Sequence, residues 1–171
     1  DISAMTSQHR ELYIAANVSF LIATAYAQET ALPPDDYVRW DADYIQEMAD
    51  RLEAEIEDKA MVWETVGNYD RHSIYLVLRG RTGQAEIHET ESDVQIGVRG
   101  TAVSVTGGEL VDAQSLPRKQ RRGTAIDGGQ RHLTSPGDLI HIPPGIAHQL
   151  VIDPAEPYLY LLFKLDEEPL N

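Results

Sequence analysis

In one part of the first half of the chain, apolar positions recur at helical spacing. Tyr44, Ile45, Met48, Leu52 and Ile56 fall on one face, acidic residues occupy the others, and Asp41 stands where an N-cap belongs. The pattern predicts an amphipathic helix within residues 37–60, its acidic face solvated. From Met61 onward the period shortens. Runs rich in β-branched and aromatic residues, "MVWETV", "SIYLVLRG", "QAEIHE", "DVQIGVRG", "TAVSVTGG", "LIHIPPG", "AHQLVI" and "YLYLLFKL", are separated by Gly, Pro, Asn and Asp. Eight or so short strands without intervening helices predict an all-β antiparallel barrel or sandwich over residues 61–171. The segment Glu109–Gln130 breaks the rhythm and reads as a long excursion between strands. Its basic cluster, Arg118, Lys119, Arg121 and Arg122, reads as a solvated loop, with an anion-binding lid as the alternative.

Residues 1–36 contain the longest apolar run, Leu12–Ala27, which is too short for a comfortable membrane span and ends in "AYAQ", with small residues where a signal peptidase reads. They form either an unprocessed signal segment, which implies the periplasm or secretion, or an apolar arm packed on the domain or a neighbouring subunit of a cytoplasmic protein. The prolines of "LPPDD" close this segment as a linker.

A length of 171 residues is enough for one domain with a real core. With 28 acidic against 14 basic residues, the net charge of −14 repels phosphate backbones and argues against a nucleic-acid partner. The absence of cysteine excludes disulfides, thiolate metal sites and a cysteine nucleophile. There is no GxSxG, P-loop or dinucleotide fingerprint; the paired glycines of "TGGEL" and "DGGQ" are turns.

The candidate chemistry lies in "GQAEIHETESD" and in "GDLIHIPPGIAHQLVI". Glu86 and His88 are two apart, so on a strand they share a face, and a tight connection would bring Asp93 back beside them. His148 opens a strand after a proline turn. Two imidazoles and two carboxylates suit Zn, Mn, Fe or Ni; the alternative is a buried polar network satisfied by its own hydrogen bonds. By alternation Gln95 and Gly97 join Asp93, and Gln84 joins Glu86 and His88. Tyr158 and Tyr160 either add phenol groups to the same cavity or pack in the core. Glu86 or a tyrosine such as Tyr160 is the candidate proton-transferring group. His72, His132 and His141 read as structural or solvent-facing.

These spacings resemble the cupin superfamily over Ser73 to Leu165. The family's first motif is matched by Gly80, "RTGQA", Glu86, Ile87, His88, "ETES", Asp93, "VQIGVR" and Gly100, with Glu86 where the family has its first histidine and Asp93 where it has a glutamate. The second is matched by Gly137, Pro143, Gly145 and His148, with Ile152 at the asparagine position. The resemblance implies a cupin-type jelly-roll barrel, commonly a homodimer. It also implies a divalent metal held by Glu86, His88, Asp93 and His148. Two functional classes follow: a metal-dependent small-molecule lyase, isomerase or oxygenase, or a non-catalytic cupin that binds a sugar, metabolite or protein partner with metal absent or structural.

Overall fold

The computed structural model describes residues 37–166. The apolar arm or signal segment, its linker, and the subunit contact expected of the arm lie outside the described residues.

The helix α1 runs Ala42–Ile56. Asp41 sits in extended backbone and its carboxylate accepts from the Tyr44 amide at 3.0 Å, which satisfies one of the donors that a helix start leaves over. Met48, Ala49 and Leu52 are buried on one face, with Ile45 and Ile56 packed beside them. Tyr44, on the edge of that stripe, is largely exposed.

Among the described residues thirteen strands follow: β1 Met61–Asn68, β2 His72–Arg79, β3 Ala85–His88, β4 Glu91–Arg99, β5 Ala102–Thr106, β6 Glu109–Val111, β7 Gln114–Leu116, β8 Gln120–Gly123, β9 Ala125–Asp127, β10 Gln130–Thr134, β11 Leu139–Ile142, β12 His148–Val151 and β13 Tyr158–Asp166. They form a five-stranded sheet in the order β1-β2-β13-β4-β11, a six-stranded sheet in the order β10-β5-β12-β3-β8-β7, and the pair β6-β9. Every pairing is antiparallel.

Alternation along β2 and β13 divides the core in two. Leu76, Leu78 and Leu159 join Val62 and the buried face of α1 on one side of the five-stranded sheet. On the other side Val77, Tyr158 and Tyr160 meet Ala102, Leu150 and Ile152 of the six-stranded sheet and its margin. The second set holds the two sheets face to face. Each such buried aliphatic or aromatic side chain contributes roughly 1.5–3 kcal/mol relative to an exposed one.

The excursion from Glu109 to Gln130 proves to be structured, in β6 to β9. The reason lies in β3, whose far edge would otherwise leave buried backbone groups unpaired. β8 takes that edge, with Glu86 opposite Arg122 and His88 opposite Gln120, and β7 folds back on β8. The long aliphatic stems of the arginines allow "QRRG" to run as a strand although its composition reads as a loop.

Two motif glycines meet backbone requirements. Gly100 has φ +72° and a Cβ there would collide with the Pro157 carbonyl; Gly145 has φ +80° and donates its amide to the His88 carbonyl at 2.7 Å. That bond ties the proline turn before His148 to the end of β3. Among the described residues no helix is long and apolar enough to cross a membrane.

Candidate functional site

Strand register brings the polar residues together. In the six-stranded sheet His148 on β12 lies opposite Glu86 on β3, and Glu86 lies opposite Arg122 on β8, so the three stand in a row. In the five-stranded sheet Lys164 on β13 lies opposite Asp93 on β4. Between the sheets is a cavity of about 280 Å³. One part of its wall is charged, formed by Arg79, Glu86, Asp93, Arg122, His148 and Lys164; the other is largely apolar, formed by Met61, Trp63, Tyr75, Val77, Leu150 and Leu162. Gln95 and Tyr160 complete the lining.

All four residues expected around a metal are therefore neighbours. Glu86, His88 and His148 have ligand atoms within 4.8 Å of one another. Asp93 Oδ2 lies 3.6 Å from both His88 Nε2 and His148 Nε2. The two imidazole rings are 5.2 Å apart, centre to centre. His148 Nδ1 is 3.0 Å from the Ile146 carbonyl, which fixes the ring and turns Nε2 inward. That Nε2 is buried without a hydrogen-bond partner among the described residues.

Three cations that sequence reading did not assign to the site stand among these groups. The Lys164 ammonium is 2.8 Å from Asp93 Oδ1, 3.0 Å from His88 Nε2 and 3.3 Å from Glu91 Oε2. Glu86 is held by Arg79 at 3.3 Å through Oε1 and by Arg122 at 3.0 Å through Oε2. Arg79 also donates from Nε to the Tyr160 hydroxyl at 3.1 Å. Arg79, Arg122 and Lys164 thus match Glu86, Glu91 and Asp93 charge for charge.

The electrostatic consequences follow from burial and these partners. Burial raises the Asp93 pKa, but the two imidazoles and the Lys164 ammonium pull harder and hold it well below the usual carboxylate range. Glu86 is likewise lowered: burial pushes it up, and His148, Arg122 and Arg79 together outweigh that. Burial pulls His148 down, but Asp93 and Glu86 leave it above the ordinary histidine value. Lys164 ends above the ordinary lysine value, burial being offset by Asp93 and Glu91. Tyr160 is raised by burial, against the opposing pull of Arg79, so it stays a neutral phenol near pH 7.

A divalent ion can be tested against this arrangement. His148 suits one, because its inward Nε2 makes no hydrogen bond among the described residues and faces Asp93 Oδ2 at 3.6 Å. The set as a whole does not accommodate one as it stands. An imidazole nitrogen offers one lone pair, and a metal about 2.0–2.1 Å from His88 Nε2 would contend with the ammonium already 3.0 Å from that nitrogen. Asp93 and Glu86 are also engaged by protein cations.

Two motif spacings, set on neighbouring antiparallel strands and converging between two facing sheets, decide the architecture. The fold is that of a cupin. No family model and no curated protein matches the sequence. Similar solved structures include the protein TT1209 of Thermus thermophilus, 21% identical over 69% of this chain and 93% of that one, with a TM-score of 0.49. Pac13 of Streptomyces, a nucleoside dehydratase whose structures include uridine complexes, is 13% identical over 63% and 70% with a TM-score of 0.45. A cupin-like protein of Thermotoga maritima is 14% identical over 61% and 68%, with a TM-score of 0.44. At this identity and superposition none of them lends a substrate or a reaction to this chain.

Tyr160 lines the cavity and Tyr158 stacks behind it, with ring centres 5.3 Å apart. Gln95 lines the cavity, whereas Gly97 backs on the Ser135 carbonyl. Gln84 is exposed and precedes β3, so it does not join Glu86 and His88. His132 and His141 are exposed on β10 and β11, and His72 is exposed and stacks on Tyr69 at 4.6 Å. The signal for Arg79 and Lys164 was present in the alternation: Tyr75, Val77, Arg79 share one face of β2, and Tyr158, Tyr160, Leu162, Lys164 one face of β13. An ionisable residue at the end of an otherwise inward-facing row marks a polar site. Arg122 had no such signal, because its strand was not visible in the sequence.

Proposed function

We propose that this cupin binds a small organic anion with an apolar body in the cavity between its sheets. The observation that carries this reading is the charge of the lining. Arg79 and Arg122 both face one carboxylate, Glu86, while Lys164 is shared between Asp93 and Glu91. A protein of net charge −14 thus sets two guanidinium groups against one carboxylate in the wall of its inter-sheet cavity. Low-dielectric walls strengthen the pull of that excess on an acidic group. Met61, Trp63, Tyr75 and Leu162 offer the rest of the ligand an apolar wall, and the volume is at the small end of the range for ligand sites.

A second reading, proton-transfer catalysis on such a ligand, is favoured by one feature, the unpartnered inward Nε2 of His148. Burial lowers its pKa, but Asp93 and Glu86 hold it above the ordinary histidine value. Glu86, held ionised between two guanidinium groups, orients rather than donates, and Tyr160 is positioned through Arg79. This assigns the lyase or isomerase role to His148 in place of Glu86 and Tyr160.

The test is calorimetry with a matched series of arylalkyl carboxylates and the corresponding alcohols. A preference of about tenfold or more for the carboxylate, lost in Arg122→Ala, is expected; a charge-assisted hydrogen bond is worth that much. Equal binding of alcohols and carboxylates, or an unchanged preference in Arg122→Ala, would overturn the reading.

A further inference from the structure

We infer that Lys164 is the resident cation of this site, an ammonium group in the place where the donor set would otherwise take a divalent metal. The inference stands apart from the anion-binding reading, since it concerns what organises the protein's own donors.

The geometry is that of a coordination problem solved with hydrogen bonds. A lysine ammonium has three N–H donors and no acceptor. Its three acceptors here are Asp93 Oδ1 at 2.8 Å, His88 Nε2 at 3.0 Å and Glu91 Oε2 at 3.3 Å. Two of these acceptors, His88 and Asp93, are among the four residues whose type and spacing suit a metal. The backbone fixes the arrangement, because Lys164 is the direct cross-strand partner of Asp93. The remaining carboxylate, Glu86, is neutralised separately by Arg79 and Arg122. Adding a divalent ion beside Lys164 would place two further positive charges among groups already balanced, without a free lone pair on His88 to receive it.

Removal of the ammonium alone should therefore convert the site. The substitution Lys164→Met keeps the unbranched stem and drops the charge, leaving the Asp93 and Glu91 carboxylates without that cation beside His88, with His148 3.6 Å from Asp93. Such a set is a metal site by its chemistry.

The experiment is titration of the metal-stripped full chain with Co²⁺, read by its visible d–d absorption and by bound metal after gel filtration. Wild type and Lys164→Arg are expected to take up no stoichiometric Co²⁺, Lys164→Met to take up about one equivalent, and the double variant Lys164→Met/His148→Ala to lose it. Stoichiometric uptake by wild type that His148→Ala abolishes would overturn the inference. So would a folded Lys164→Met, judged by circular dichroism, that binds none.

Should Lys164→Met fail to fold, the wild type decides. Under pulsed acetylation read by mass spectrometry, an ammonium with its donors engaged should label about tenfold more slowly than the exposed Lys59, with or without Zn²⁺. Labelling at the Lys59 rate, or a change in Lys164 labelling on adding stoichiometric Zn²⁺, would contradict it. Calorimetry with carboxylates is unaffected by these outcomes, so failure here and failure of the anion reading are told apart.

Discussion

The two faces of the β2–β13 pair are built from the same strands and held by opposite means. Outward, Leu76, Leu78 and Leu159 pack on Met48, Ala49 and Leu52 of α1, an aliphatic core whose ion pairs, Arg51 with Glu64 and Arg99 with Glu53, are largely exposed. Inward, the alternate positions begin apolar with Tyr75, Val77, Tyr160 and Leu162 and end charged with Arg79 and Lys164. The outer face is non-directional and tolerates exchange of one hydrophobe for another of similar volume. The inner face depends on particular pairs, in which removal of one charge strands its partner. The comparison separates an apolar interface from an inner face that is apolar where it joins the sheets and charged where the proposed ligand site lies.

The sharpest way to separate them is to damage one and watch the other. Leu52, with 0% of its surface exposed, is expected to cost about 2–5 kcal/mol on replacement by alanine, read from the denaturation midpoint. Carboxylate binding in the cavity should be unchanged while the variant remains folded. A parallel loss of binding would show that the two faces are coupled through the sheet.

Asp93→Asn comes next. It keeps the shape and removes the charge that Lys164 and His148 face, at an expected cost of about 2 kcal/mol. That is below the figure for a fully buried pair because Lys164 keeps 24% of its side chain exposed. It should also reshape the pH profile of stability. With a lowered pKa in the folded protein, Asp93 stabilises above the ordinary carboxylate range near 4, and that contribution is lost as pH falls through that range toward its folded value. His148, raised in the folded protein, stabilises below about 6.5 and loses its contribution as pH rises through its folded value. Wild type should therefore be most stable between these limbs, and Asp93→Asn should flatten both, since Asp93 is also the first group that holds His148 up. An unchanged profile in urea denaturation across pH 3–9 would remove Asp93 from the network.

The smallest expected effect is at the edge of the outer interface. Asp41→Ala deletes the cap on Tyr44 and should cost about 1 kcal/mol, with α1 still formed and the cavity untouched. A larger loss would mean that the helix start does more than cap.

The same comparison explains what the sequence made legible. The helix face, the inward position of Tyr160 and the convergence of Glu86, His88, Asp93 and His148 follow from periodicity and motif spacing, which are local. The partners of those four do not. Arg122 reaches Glu86 only because β8 pairs with β3, and "QRRG" reads as a loop until the unpaired edge of β3 is known. Lys164 reaches Asp93 through a pairing across 71 residues, set by the register of β13 on β4. Alternation placed Tyr158 and Tyr160 on the inner face, and two steps further along the same row lay the cation that changes the meaning of the site. Ligand sets can be read from spacing, whereas counter-ions must be read from register.

The most direct measurement is a high-resolution crystal structure of the protein grown with zinc present. The account predicts Lys164 Nζ within about 3 Å of Asp93 and His88, no ion at coordination distance from His88 Nε2, and an organic anion or its stand-in against Arg79 and Arg122. An ion about 2.0–2.1 Å from both His88 and His148, with Lys164 turned out to solvent, would contradict it.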